Sequence, residues 1–250
     1  MPYGMYMSAE GAQVQQQRLE VIANNLANVN TVGFKPDVVS FQSRLAEAFQ
    51  QGDGYEGDRT KNNVGGGVNV IDTTTDFTAG RLQTTGNDLD LAVIGDGFFQ
   101  VRDQSGQQLL TRAGNFSIDS QNRLVTQNGM LVLDSGGSEI TLDPQLPFEI
   151  SATGHVSQNG SRVPIGLVGP QSLGDLVKVG HNLFQPLGPV SQLEAGRREV
   201  RSGVLEMSGT QSVRQMTDMI ETQRAFEANV RIIQSQDSMT GNLISRVLQA

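Results

Sequence analysis

The chain has 250 residues, 29 of them Gly, with no Cys, no Trp and a formal charge of −8. The lack of Cys excludes disulfide and thiolate chemistry, and an acidic chain without a Lys/Arg cluster is a poor partner for nucleic acid. No run approaches the ~20 apolar residues that cross a bilayer as a helix, and the start, MPYGMYMSAEGAQ, has neither the basic nor the apolar region of a cleaved secretory signal.

The first element in chain order is helical, predicted over residues 5–31. Leu19, Ile22, Leu26 and Val29 recur at helical spacing. The seam continues backwards through Gln15, Ala12, Ser8 and Met5, so it weakens toward the N-terminus. Gly33 and then Pro36 supply a stop signal. Asn24, Asn25, Asn28 and Asn30 crowd the helical end, although Asn is ~0.5 kcal/mol per residue worse than Ala in a helix. Asn24, Asn25 and Asn28 are therefore expected to find their partners on neighbouring chains. Residues 36–49 are compatible with a short strand or a short helix. The following QQGDGYEGDRTKNNVGGG has no apolar period and reads as an exposed linker.

From Val68 to about Arg201 the period is that of strands. Turns are predicted at Gly95–Gly97, Ser120–Asn122, Asn128-Gly129 and Asn159-Gly160. Asn-Gly between apolar alternations is a strong hairpin cue, because both central residues of a type I′ turn need positive φ. SLGDLVKVGHNLFQPLG reads as a further strand pair. No Gly-rich βαβ unit is present, which disfavours a parallel doubly wound sheet.

From about Ser208 to Leu248 the helical period returns. Its predicted seam is Met216, Met219, Phe226, Val230, Ile233, Ile244 and Val247, with Gln223, Asp237 and Thr240 filling positions between them. Ser208 or Ser212 would cap it. A helix of ~40 residues would be ~60 Å long, more than a core of this size requires. The fold class is therefore α+β. N- and C-terminal helices pair as a coiled-coil-like stalk, and a β-rich middle domain projects from them. The expected boundaries are 1–33, 34–67, 68–204 and 205–250. The seams serve either an intramolecular helix pair or contacts between copies.

Residue types give no catalytic or metal constellation. His155 and His181 lie in turn-like contexts, and zinc needs more ligands at set spacing. Asp88 and Asp90 read as one solvated strand face rather than an acid pair. VGGGV lacks the Lys-Ser/Thr of a phosphate loop, DSQNRLVTQNG lacks the Gly and Glu of a calcium loop, and no G-x-S-x-G is present. No cofactor and no small-molecule substrate is expected.

Four ordered stretches carry a family pattern. RLEVIANNLANVNTVGFKP resembles the N-terminal signature of the flagellar basal-body rod and hook proteins, an ANNLAN run followed by Gly-Phe-Lys. TTGNDLDLAVIGDGFFQV and LLTRAGNFSIDSQNRLVTQNGMLVL resemble that family's central β motifs. SGVLEMSGTQSVRQMTDMIETQRAFEANVRIIQSQDSM resembles its C-terminal helix, with Gln223 to Glu227 intact. Gly209 and Thr210 depart from the usual Asn-Val after Leu-Glu-X-Ser. The length favours a rod type over the longer hook subunit. MYMSAEGAQ and the stretch from SGVLE to MTDMI look most like the proximal-rod member, the insert near residues 36–66 looks more like the distal one, and the proximal type is favoured.

The resemblance implies a non-enzymatic structural subunit of the rod, polymerised through its terminal helices into the axial drive shaft for motility. Its partners would be copies of itself, other rod and hook proteins, and the flagellar type III export apparatus. Its location would be the periplasm-spanning basal body, reached without a cleaved signal peptide. The resemblance favours contacts between copies for the helical seams. The alternatives are an adhesin whose β domain sits on a helical stalk, and an enzyme with a site in the β domain.

Overall fold

The structure, a computed structural model, describes residues 3–43, 68–194, 196 and 198–248. The expected linker from Gln50 to Gly67 lies outside the described residues. The chain divides into two compact units. The first comprises residues 1–27, 37–75 and 211–250, and the second residues 28–36 and 76–210. Residues 28–33 and 205–210, expected with the terminal helices, thus belong to the second unit.

The first unit contains α1 (Tyr3–Ala27), β1 (Asp37–Ser43), β2 (Val68–Thr75) and α2 (Ser212–Leu248). Residues 37–43 form a strand, which decides between the two readings of that segment; β1 and β2 pair antiparallel, with a bulge between Ser40 and Phe41. The helix predicted to run to residue 31 ends at Ala27. Beyond it, Asn28 turns the chain: its carbonyl accepts Thr31 N–H and its Oδ1 accepts the Thr31 hydroxyl (3.1 Å). Local bonds of this kind, from backbone and side chain alike, give Asn and Thr an alternative to the helix. Val29 is therefore a turn residue, not a seam position.

The two helices lie antiparallel. A Cβ on Gly4 would meet Gln236 Nε2 at 2.7 Å, and one on Gly11 would meet Asn229 Nδ2 at 3.2 Å. Ser8, Ala12, Val14 and Ile22 are buried along α1. On α2 the covered positions include Gln215, Met219, Thr222, Phe226, Asn229, Val230, Ile233 and Gln236, of which Thr222 is buried and the rest half-buried. Small α1 residues thus face long amides on α2. The predicted α2 seam shares Met219, Phe226, Val230 and Ile233 with the covered positions and departs from them at Met216, Gln223 and Ile244. Gln223 is exposed and Thr222 takes its place; Val230 is half-buried beside Asn229.

The second unit is β-rich. Its strands are β3 (Leu82–Thr84), β4 (Leu91–Ile94), β5 (Phe98–Arg102), β6 (Gln108–Thr111), β7 (Phe116–Ile118), β8 (Leu124–Thr126), β9 (Leu131–Val132), β10 (Phe148–Ile150), β11 (His155–Gln158), β12 (Ser161–Pro164), β13 (Leu167–Pro170), β14 (Leu176–Gly180), β15 (Leu183–Pro186), β16 (Val190–Gln192), β17 (Glu199–Ser202) and β18 (Val204–Glu206). The largest sheet has nine strands, ordered β14-β15-β6-β5-β9-β8-β7, with β13 joined to β5 and β16 to β13. β17 pairs with β4 and β18 with β3, so the end of the unit closes on its beginning. Strand pairing is antiparallel throughout the described residues, as alternation with short turns requires. The core is a cluster around Leu91, Phe99, Val101, Val132, Ile165 and Leu167, each fully buried. A second cluster holds Phe98, Leu110 and Phe184.

Of the four predicted turns, Ser120–Asn122, Asn128-Gly129 and Asn159-Gly160 close the hairpins β7–β8, β8–β9 and β11–β12, with different turn chemistry, whereas Gly95–Gly97 joins β4 and β5, which belong to different sheets. Asn159 (φ 49°) and Gly160 (φ 81°) are both left-handed, the I′ signature. At Asn128-Gly129 only Gly129 is left-handed (φ 76°), and its N–H returns to Thr126 O, which makes a type I turn with a bulge rather than I′. His181 (φ 50°) and Asn182 (φ 59°) connect β14 and β15. Asp88 lies in a turn before β4, and Asp90 is buried, so the pair does not form the solvated strand face expected. The backbone carbonyl of Asp90 accepts Gly203 N–H (2.8 Å).

Candidate functional site

Two arrangements stand out, one in each unit. In the helical unit, the sequence-predicted interface residues separate into an inner and an outer set. Ile22 is buried, and Leu19, Leu26, Met219, Phe226 and Ile233 are half-buried. These side chains lie in contact with their own chain. Met216 is 52% exposed and Ile244 56% exposed, and Val213 and Ile220 lie uncovered on the first turns of α2 beside Met216. Ile244 is uncovered for a simple geometric reason. Gly4, near the start of α1, already lies opposite Gln236, so the later turns of α2 run past the end of α1. The side chain of Val247 lies outside the described residues.

The asparagines behave differently from one another. Asn24 is exposed, and Asn28 makes the turn described above. Asn25 is buried at 3% exposure and bonds through both ends of its amide to one backbone residue. Its Nδ2 donates to Asp37 O (2.8 Å), and Asp37 N donates to its Oδ1 (2.9 Å). This corrects the expectation that Asn25 serves neighbouring chains: its partners lie in its own first strand. Asn25→Leu is therefore expected to lower the stability of the isolated chain by ~1–3 kcal/mol, because a buried N–H and C=O lose their partner. Urea unfolding checks this, and an unchanged midpoint would refute it.

In the β-rich unit, Lys35, Arg112 and Glu206 converge in the interior. Their side chains are 1%, 5% and 3% exposed. Lys35 Nζ donates to Glu206 Oε1 (2.6 Å) and to Thr78 O (3.0 Å). Arg112 Nη1 lies 3.4 Å from Glu206 Oε2 and donates to Val93 O (3.1 Å), while its Nη2 donates to Gly95 O. Gly80 N completes the shell on Glu206 Oε1 (2.8 Å). The Arg112 guanidinium stands 5.0 Å from the centre of the Phe98 ring. Burial pushes the Lys35 ammonium below its ordinary pKa, and the Glu206 carboxylate pulls it back. Burial lowers Arg112 likewise, again opposed by Glu206.

The segment that carries Lys35 is fixed on every side. Gly33 N donates to Glu206 O (2.8 Å) and Gly209 N to Phe34 O (3.0 Å). Asn182 Nδ2 donates to Val32 O (2.8 Å). Lys178 Nζ stands 4.7 Å from the Phe34 ring centre and donates to Lys35 O. Three of the sequence stretches noted above, Gly-Phe-Lys, Thr-Arg-Ala-Gly and Leu-Glu, thus meet at one point. Sequence reasoning missed this cluster, because a lone Lys in a loop reads as solvated. Its available signal was that each charge sits inside a family-like motif. Apart from Arg112 Nε, which is buried without a hydrogen-bond partner, the three groups are bonded to one another and to backbone, so the cluster organises structure and presents no reactive atom to solvent.

Family models match three parts of the chain. Residues 5–35 match the flagella basal body rod protein model, residues 92–158 the D1 domain of the flagellar hook protein FlgE/F/G, and residues 201–246 the C-terminal part of the flagellar basal body rod FlgEFG proteins. The chain is 33% identical over 249 residues to the flagellar basal-body rod protein FlgF of Caulobacter vibrioides, covering 99% of this chain and 98% of that one. It is 34% identical over 262 residues to the rod protein FlgG of Bacillus subtilis, covering 96% and 97% respectively. Against FlgF of Mesorhizobium japonicum the identity is 30% over 247 residues, covering 98% and 97%.

Proposed function

This chain belongs to the flagellar basal-body rod protein family, and on that premise we propose that it is a structural subunit of the bacterial flagellar rod, of proximal-rod type, that assembles with other rod proteins in the basal body. End-to-end similarity to rod proteins carries this reading, since it spans both helices and the β-rich unit together. The relatives are named as rod proteins, which leaves the adhesin reading without support. The role calls for contact surfaces rather than catalysis.

We read α1 and α2 as a coiled-coil-like stalk whose outer face joins copies of this chain and adjoining rod and hook proteins. The uncovered Val213, Met216 and Ile220 support that assignment, because each apolar side chain buried on assembly contributes ~1.5–3 kcal/mol. Contacts repeated head to tail by a constant rotation build a helical filament, which is the geometry of a drive shaft. Delivery unfolded through the flagellar type III export apparatus, without a cleaved signal peptide, to the periplasm-spanning rod belongs to the same proposal.

A double substitution tests it. Met216→Asp with Ile220→Asp touches exposed positions, so the purified chain is expected to melt within a few degrees of the parent. In the source bacterium, in place of the native chain, it is expected to abolish swimming and leave basal bodies without a completed rod. Normal motility from the folded double variant would remove this face from the assembly.

A further inference from the structure

The β-rich unit is made from two stretches of chain whose ends are joined to each other. Lys35 and Glu206 are 171 residues apart in sequence and bonded at 2.6 Å. β4 contributes the fully buried Leu91 and Ala92, and among the described strands its sheet partner is β17. Gly203 N donates to Asp90 O, Met207 N to Arg81 O and Gly209 N to Phe34 O. Residues 199–209 therefore lie across the opening residues of the unit at several points.

Synthesis presents Lys35 and Arg112 long before Glu206. Until then the two buried cations would have only Asp76 and Asp96 acting on them, each a weaker attraction than that of Glu206. Removing one partner from a buried ion pair is strongly destabilising, and the total stability of a domain is marginal. A complete triad adds little net stability, because desolvation offsets attraction. Its main effect is to penalise every state that lacks a member. Arg112 transmits that penalty into the sheet: it follows Thr111 at the end of β6, a strand between β5 and β15, and it ties the carbonyls of Val93 and Gly95.

We propose that the Lys35–Glu206–Arg112 cluster is a completion lock, which holds the β-rich unit open until Glu206 arrives and then lets the whole unit close in one step. The lock acts on any chain delivered N-terminus first. Its use in keeping a rod subunit threadable until nearly all of it has passed rests on the export reading above; the lock itself does not.

Refolding of the purified full-length chain, followed by pulsed hydrogen exchange, tests this. Gln100 and Leu133 report the central sheet, and Val200, Gly203 and Met207 report the closing segment; each donates a backbone hydrogen bond. The lock requires all five amides to gain protection with one rate constant. Protection of Gln100 and Leu133 about tenfold or more ahead of Gly203 and Met207 would overturn it. Glu206→Gln is expected to slow protection at all five by about tenfold or more, with a smaller change in unfolding rate. Faster unfolding with unaltered refolding would overturn the lock and leave Glu206 a late structural contact. Should Glu206→Gln fail to fold, Glu206→Asp keeps the charge, draws it back by one methylene and carries the same two expectations. A failed export reading leaves these rates untouched, so the two failures are distinguishable.

Discussion

Glu206→Gln is expected to destabilise the β-rich unit by ~3–5 kcal/mol, more than any other change in the cluster. Gln keeps an oxygen for Gly80 N–H but loses the negative charge and turns an NH2 group toward one of two buried cations. Lys35→Met removes one cation and leaves Glu206 paired with Arg112, at the loss of the bond to Thr78 O. Its expected cost is ~1–3 kcal/mol. The order of the two effects is the informative result, and urea unfolding of both variants measures it. Equal losses would mean that Arg112, at 3.4 Å, does not couple to the carboxylate. An apolar triad is not expected to restore the parent stability, although such replacements are neutral or stabilising in some proteins. Here Thr78 O, Val93 O, Gly95 O and Gly80 N would all lose their partners together.

The kinds of element were legible along this chain, and their details were legible only where local chemistry decides them. Asn159-Gly160 forms the predicted turn, of type I′, because its conformation depends on two adjacent residues. The end of α1 was misplaced because the apolar period runs on to Val29 while Asn28 and Thr31 bond to each other locally. On α2 the predicted seam followed the apolar residues. The observed face includes Thr222, Asn229 and Gln236, because glycines on α1 leave room for amides opposite. A polar residue facing a glycine on another helix leaves no trace in the hydrophobic period of either.

The buried Glu206 and Lys35 were illegible for a related reason. A charge is ordinarily read as surface, and only the meeting of distant segments makes it interior. The same holds for Asn25, whose two bonds to Asp37 fix β1 to the helix that precedes it. In each case a polar residue within a family-like motif serves the fold of its own chain. On the proposed assignment, what is left for neighbours is a separate set of exposed apolar side chains on α2, and folding and assembly would then draw on different residues, even though one terminal motif can contain both.

Gly33→Ala is the second large effect, and it separates backbone strain from close packing. Gly33 has φ +67°, and a Cβ there would stand 2.5 Å from Ala113 N and 2.5 Å from Arg112 C. Both are backbone atoms beside the buried guanidinium, so neither can swing aside. Left-handed strain costs ~1–3 kcal/mol, and overpacking against a fixed neighbour adds ~1–3 kcal/mol. Gly86→Ala is the matched control, because Gly86 has φ +74° and nothing within 4 Å of a Cβ. The control is expected to lose the strain contribution alone. Gly33→Ala should lose about twice as much, and its loss should shrink in a Glu206→Gln background, where the Lys35 segment is already loosened. A thermal or urea double-mutant cycle reads that coupling. Strict additivity of Gly33→Ala and Glu206→Gln would show that the glycine seats Arg112 independently of the carboxylate. A shortfall from additivity would make Gly33 and Glu206 parts of one closure.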